Sequence, residues 1–351
     1  MDAVDAALVD FTERTPRLLH THSQTIPDNL RNTLMELCRP NDNELVEMAR
    51  ADIAVANLFS LAVENLLQRS PHQPGDIIAI GSHGQTVRHH PELGFTTQIG
   101  DGNTLAFNTK IPTVCDFRRM DIAAGGQGAP LVPPFHEAVL SSGRPRAVIN
   151  IGGMANITIL SPDHELIGYD TGPGNALMND WIYQHQQQLF DERGNWAASG
   201  QCIPELLEQL LNHPFIEESH PKSTGRETFN LTWLQETLAK LPPYNPQDVQ
   251  NTLCHFTAQC IAIAVKGHGV EEVILCGGGV HNQYLWALLE KALALPTHSS
   301  AACGVDPDWL EAMAFAWLAK QRIEGIEANA PSVTGASETV LLGTVYQAQV
   351  K

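Results

Sequence analysis

Glu272-Val273-Ile274-Leu275-Cys276-Gly277-Gly278-Gly279 is an unbroken apolar run that ends in three glycines. A continuous run, unlike an alternating one, suits a strand buried on both faces and covered by helices. Glycine at the strand end lets the backbone approach a ligand closely. Two other stretches have the same pattern: Asp76-Ile77-Ile78-Ala79-Ile80-Gly81-Ser82-His83-Gly84 and Ala147-Val148-Ile149-Asn150-Ile151-Gly152-Gly153. The N-terminal residues 1–11 alternate as a further strand does. Helical patterns separate these runs. Residues 43–69 carry Leu45, Met48, Ile53, Val55, Leu58, Leu61 and Leu66 at helical spacing and stop before Pro71 and Pro74. Residues 177–189, 249–265 and 284–295 are further helices, and 309–323 is another, opened by Asp306-Pro307-Asp308. Strands alternating with helices predict an α/β protein.

The chain has 351 residues, a length that suits two domains. A glycine- and proline-rich tract at 125–134 and the turn cluster Ser141-Ser142-Gly143-Arg144-Pro145 precede the strand at Ala147. They place a boundary near 145, giving domains 1–145 and 146–351; the competing reading is a long loop inside one domain. With 43% hydrophobic and 17% charged residues the chain can bury a real core and lacks the composition of disorder. A net charge of -18 argues against a nucleic-acid partner, whose phosphates would be repelled. It does not argue against ATP, because a local site can oppose the global charge. The seven cysteines form no CxxC pair, so neither a metal cluster nor a disulfide framework is expected, and the compartment reads as reducing cytoplasm. No apolar run of about 18 residues suggests a membrane helix, and no basic segment before an apolar one suggests a signal peptide.

Common catalytic signatures are absent. There is no GxxxxGK[ST], HExxH, GxSxG, HRD or DFG, so nucleotide chemistry would need another scaffold. Asp170 lies in Ile167-Gly168-Tyr169-Asp170-Thr171-Gly172-Pro173-Gly174-Asn175, a carboxylate at a strand end before a rigid turn. The turn opens into a helix whose N-terminus attracts anions. Asp170 is then either a general base or metal-side carboxylate, or an aspartate that only caps its own turn. An aspartic protease would need a second Asp-Ser/Thr-Gly, which is missing. The turns Gly152-Gly153-Met154-Ala155-Asn156 and Gly277-Gly278-Gly279-Val280-His281-Asn282 suit a nucleotide, with tight strand–helix packing as the alternative. His83-Gly84-Gln85-Thr86, Asp101-Gly102-Asn103 and Asp116-Phe117-Arg118-Arg119 gather polar groups that could pair with sugar hydroxyls. Arg88-His89-His90 reads as a solvated loop, and Glu271-Glu272 as surface charge.

Six ordered motifs together resemble the anhydro-N-acetylmuramic acid kinase family. They are 81–86, Ile99-Gly100-Asp101-Gly102, the pair 116–121 and 124–131, 150–156, 169–175 and 277–282, and they span nearly the whole chain. The resemblance implies an actin-like fold, with two ribonuclease-H-like domains enclosing an ATP cleft. It implies a cytoplasmic enzyme of cell-wall (peptidoglycan) recycling, a homodimer, that uses ATP and Mg²⁺. Its substrate would be 1,6-anhydro-N-acetylmuramic acid, opened by water and phosphorylated on O6 to N-acetylmuramic acid 6-phosphate. Asp170 matches the base that activates water. Asp2 and Asp5, Gly152, Gly153 and Asn156, and Gly277, Gly278, Gly279, His281 and Asn282 match the nucleotide side. His83, Gln85, Thr86, Asp101, Arg118, Arg119 and Gln127 fall on the sugar side, with the choice between the two arginines open. The family begins with a strand and a Gly-Thr-Ser-x-Asp-Gly-Val-Asp loop, and Met1-Asp2-Ala3-Val4-Asp5 matches only its tail. That departure implies a misassigned start, with Met1 internal. The alternative is an impaired, sugar-binding pseudokinase of the same fold.

Overall fold

The computed structural model describes residues 3–13, 15–38 and 44–348. Their strands are β1 (Ala3–Asp10), β2 (Arg17–Thr25), β3 (Ile80–Gly81), β4 (Gln85–His90), β5 (Phe95–Ile99), β6 (Thr113–Cys115), β7 (Arg146–Ile151), β8 (Met154–Leu160), β9 (Ile167–Pro173), β10 (Glu272–Cys276), β11 (Thr297–Ser299) and β12 (Thr344–Tyr346). The chain divides into two compact units. One ends at Phe135 and resumes at Trp309; the other is His136–Asp308.

This division differs from the expected domains 1–145 and 146–351, because the C-terminal residues return to the first unit. There β12 pairs antiparallel with β6, and the helix Leu310–Glu324 packs on β1 and β3. Phe315 and Leu318 of that helix and Leu342 share a core with Val114, Phe117 and Leu131. Apolar side chains that find their partners across about 200 residues of sequence leave no composition signal at the crossing point. A second core in this unit joins Leu34, Leu37, Ala51 and Val55 to Val87 of β4 and Ile99 of β5. The helix Glu44–Gln68 supplies Ala51 and Val55, as the apolar spacing of 43–69 predicts.

The second unit is built on a five-stranded sheet in the order β11-β10-β7-β8-β9. β7, β8 and β9 form an antiparallel meander, while β10 runs parallel to β7 and β11 parallel to β10. Counted within the unit, this is fifth, fourth, first, second, third, the arrangement of a ribonuclease-H-like domain. Ala147, Val148, Ile149 and Ile151 of β7 are completely buried, each large side chain contributing about 1.5–3 kcal/mol. The helices Ala176–Gln186, Pro246–Val265 and Gln283–Leu293 cover the sheet's apolar face. All three fall where the periodicity places them, within a few residues.

Three local expectations change. The strand read over 76–84 shortens to Ile80–Gly81, preceded by a 3-10 turn at Pro74–Asp76 and by Ile78, which is 78% exposed. Arg88-His89-His90 is not a loop but the end of β4, with Arg88 paired to Glu44. Glu272 is not simple surface charge. It accepts from Nη2 of the buried Arg146 at 2.7 Å, tying the start of β10 to the start of β7.

Candidate active site

In the second unit, register puts the polar residues abreast. Cys276 pairs with Asn150, Asn150 with Asn156, and Asn156 with Asp170. Residues directly opposite on neighbouring strands share a face, so Asn150, Asn156 and Asp170 form one polar row across β7, β8 and β9. The alternate residues Ile149, Ile151, Ala155, Ile157 and Tyr169 belong to the apolar core on the other face. Asn150 joins this row although the sequence assigned it no role of its own beyond opening the motif 150–156. Its signal was present: it interrupts an otherwise apolar run.

Asp170 is fixed from outside the sheet. Its backbone N–H donates to the carbonyl of Lys222 at 3.2 Å, and its Oδ2 accepts from the N–H of Thr224 at 2.9 Å. A backbone donor on a carboxylate fixes its direction. The N–H groups of Gly174 and Ala176 donate to the carbonyl of Gly153, and the N–H of Asn175 to that of Gly152. The Asn175 side chain reaches the Ile151 carbonyl at 3.1 Å. The β7–β8 turn is thus bound to the start of the helix Ala176–Gln186. A Cβ on Gly174 would lie 2.4 Å from the Gly152 oxygen, so only glycine permits this approach.

The turn after β10 borders the same row. Gly277 has φ +78° and donates to the Pro307 carbonyl, and a Cβ there would lie 2.3 Å from Oδ1 of Asn150. A Cβ on Gly279 would meet Cγ2 of Ile151 at 2.3 Å, whereas Gly278 faces open space. His281 pairs through Nε2 with Asp308 at 2.8 Å on the surface. Asn282 is buried and caps the helix Gln283–Leu293, its Oδ1 accepting from the N–H of Leu285. Of the other residues that the resemblance assigns to the nucleotide, Asp5 is exposed on β1 in the first unit, and Asp2 lies outside the described residues.

The residues that the resemblance assigns to the sugar lie in the first unit. Arg118 donates from Nη2 and Nε to Nε2 of His83, at 2.7 and 3.2 Å, and from Nη1 to the Gly128 carbonyl at 2.6 Å. Burial, and then the charge of Arg118, pulls His83 down to about 3, so its ring is neutral and able to accept. Phe315 packs against that ring, centroids 4.6 Å apart. Arg119 turns elsewhere and pairs with Asp116 at 2.7 Å, largely exposed. Asp101 caps the helix Gly102–Thr109 through Thr104. Burial works to raise its carboxyl, but hydrogen bonds from Thr104 and Asn103 outweigh this and hold it below the ordinary value. Gln85 donates to the Thr86 carbonyl, and Oγ1 of Thr86 accepts from Gln98 at 3.1 Å. The Gln127 N–H donates to the Thr334 carbonyl.

Two further acids here were given no role by the sequence, although Asp121 closes the motif 116–121. Asp121 is fully buried and accepts from Asn329, Thr334 and the N–H of Gly128. It therefore supports the residue whose carbonyl holds Arg118. Glu311 retains solvent exposure, yet the surrounding protein desolvates its carboxyl and raises it, with Arg118 opposing and Asp5 adding. Glu311 reaches this region only because the helix Leu310–Glu324 returns to the first unit.

Among the described residues no group of three His, Cys, Asp or Glu side chains could hold a metal ion, and no helix is long and apolar enough to cross a membrane. The family model described as anhydro-N-acetylmuramic acid kinase matches residues 1–348. The chain is 48% identical over 361 aligned residues to the anhydro-N-acetylmuramic acid kinase of Shewanella oneidensis, covering 99% of this chain and 96% of that protein. It is 47% identical over 354 residues to the enzyme of the same name from Shewanella amazonensis, with the same coverage. Among solved structures it is similar to component A of the Acidaminococcus fermentans (R)-2-hydroxyglutaryl-CoA dehydratase, at TM-score 0.44 and 12% identity, covering 89% of this chain and 96% of that one. With the family model matching from end to end and nearly half of all residues shared with such enzymes, the chain belongs to the anhydro-N-acetylmuramic acid kinase family.

Proposed function

We propose that this kinase hydrolytically opens 1,6-anhydro-N-acetylmuramic acid and phosphorylates O6 in one event, giving N-acetylmuramic acid 6-phosphate and ADP. The observation that carries this reading is the Asn150–Asn156–Asp170 row, with the Asp170 carboxylate held by the Thr224 N–H. Asp170 takes a proton from water as the water oxygen bonds to the anomeric carbon. The bond from that carbon to O6 breaks, and O6 bonds to the γ-phosphorus while the bond to the β–γ bridging oxygen breaks. The protein's part is positioning and charge stabilisation, which rigid glycine turns suit. Gly152, Gly153, Asn156 and Gly277–Asn282 are assigned to ATP. His83, Gln85, Thr86, Asp101, Arg118 and Gln127 are assigned to the sugar, and Arg118 rather than Arg119 is the arginine that serves it.

Mg²⁺ fits this donor set as a companion of the nucleotide, since it binds through phosphates with one or two carboxylates and keeps several waters. When bound it neutralises charge on the β- and γ-phosphates. The same reading places the enzyme in the cytoplasm, in peptidoglycan recycling, as a homodimer. The test is ADP release with Mg-ATP and the anhydro sugar, for the wild-type chain and Asp170→Asn. Sugar-dependent turnover that Asp170→Asn abolishes is expected. Full turnover in the variant would remove Asp170 from the base role, and no sugar-dependent ADP in the wild type would overturn the substrate.

A further inference from the structure

β9, which carries Asp170, is the last strand of its sheet. An edge strand offers unpaired N–H and C=O groups and is free to shift unless something covers it. At Asp170 the cover is the segment 222–224, which bonds on both sides of the residue. The Lys222 carbonyl accepts from the Asp170 N–H, and the Thr224 N–H donates to Asp170 Oδ2. This segment is not part of a regular strand, so its own position needs an anchor.

That anchor is the Lys222 side chain, 8% exposed. Its Nζ donates to the carbonyls of Phe215 at 2.8 Å and Ile216 at 3.1 Å. It also lies 4.5 Å from the Phe215 ring centroid and 5.8 Å from that of Tyr169. Phe215, Ile216 and Tyr169 are all buried in the core of the unit. Tyr169 is in turn fixed by its hydroxyl, which donates to the Ala264 carbonyl. A rigid line runs from the core to Nζ of Lys222, along two residues of backbone, to the carboxylate of Asp170. A buried ammonium is costly unless it is hydrogen-bonded. Burial lowers the proton affinity of Lys222, partly offset by Glu218, so a lysine whose only purpose was to fill space would be a poor choice here.

We infer that Lys222 is a positioning residue for the base: it anchors the segment 222–224, which clamps Asp170 on the sheet edge and aims its carboxylate. This rests on the assignment of Asp170 as base. A misdirected catalytic group lowers the rate of the chemical step more than it lowers binding.

The test uses the full chain with Mg-ATP and the anhydro sugar. Lys222→Met keeps the apolar stem and removes the donor. It is expected to lower kcat by up to about 100-fold while KM for both substrates stays within about twofold. Lys222→Arg, which keeps a donor, recovers much of the loss. In Lys222→Met the amides of Asp170 and Thr224 should lose hydrogen-exchange protection while those of β7 and β8 keep it. A folded Lys222→Met with unchanged kcat, beside an inactive Asp170→Asn, would overturn the anchor and leave the base assignment intact. An active Asp170→Asn would remove the base and the anchor together. The wild-type chain gives a check that needs no variant to fold: Asp170 and Thr224 amides that exchange as fast as exposed turn amides would also overturn it.

Discussion

Two nitrogens of Arg118 point at one nitrogen of His83, 2.7 Å from Nη2 and 3.2 Å from Nε. Only a neutral imidazole can accept there, and the burial that pulls His83 to about 3 guarantees one at physiological pH. The ring tautomer that leaves Nε2 bare follows from this network. The pair is then a fixed unit, with Gly128 holding the third guanidinium nitrogen.

His83→Leu removes the acceptor and lets Arg118 swing. KM for the sugar should rise about tenfold or more, on the scale of a hydrogen bond to a charged group, while KM for ATP changes less. Steady-state kinetics with each substrate varied in turn checks this. An unchanged sugar KM would detach the pair from sugar binding.

Asp121→Asn should destabilise the chain by roughly 1–3 kcal/mol. An amide can keep the bonds from Asn329 and Thr334 with one oxygen, but its NH₂ then faces the Gly128 N–H. Urea unfolding measures the loss. Because Gly128 also holds Arg118, the sugar KM should rise in the same variant.

The three glycines at 277–279 should respond differently to alanine. Gly277→Ala puts a Cβ at 2.3 Å from Asn150 Oδ1 in a backbone region almost exclusive to glycine, with φ +78° and ψ 171°. A loss of roughly 1–3 kcal/mol or more is expected. Gly279→Ala meets Ile151 at 2.3 Å and should also lower Tm. Gly278→Ala meets nothing within 4 Å and should leave Tm nearly unchanged. Thermal unfolding of the three variants side by side decides it; equal losses would contradict the turn geometry.

Stability should fall as pH drops below the ordinary histidine value of 6.5. His83 and His136 are both held at about 3 by burial, so they stay neutral in the fold. The unfolded chain takes up protons on both below about 6.5, which favours unfolding. Their contribution is complete above 6.5 and is lost progressively toward about 3. The clearest window is between about 6.5 and 5, before most carboxylates titrate. His136→Phe, which cannot take up a proton, should flatten the slope of the urea midpoint against pH there, even though Thr158 loses its partner. A slope equal to that of the wild type would place the proton uptake elsewhere.

Much of the fold could be read from local pattern. The apolar runs at 147–151 and 272–276 became β7 and β10, and the helices at 44–68, 246–265, 283–293 and 310–324 followed their periodicity. Burial on one helical face or both strand faces is written into spacing, so it survives as a sequence signal. The short β3 did not follow, because a backbone that bends away after a 3-10 turn leaves Ile78 apolar but exposed. The candidate site divided in the same way. Asp170 and the glycine turns were visible as motifs. Lys222, Thr224 and Glu311 were not, since each meets Asp170 or Arg118 across a long stretch of sequence, and Asp121 was visible only as part of a motif, without its role.

By itself the sequence determined the α/β class, the glycine turns at strand ends and a six-motif resemblance that specified the family; it read Asp170 as ending its strand, whereas β9 runs on to Pro173. Those properties depend on residue type and near-neighbour spacing. Tertiary structure alone decided that residues 309–348 belong with the first unit. It also decided that Arg118 serves His83 while Arg119 serves Asp116, and that Asn150, Asn156 and Asp170 stand abreast. These depend on strand register and on which buried surfaces meet, and a one-residue slip in register would send every side chain of a strand to the other face.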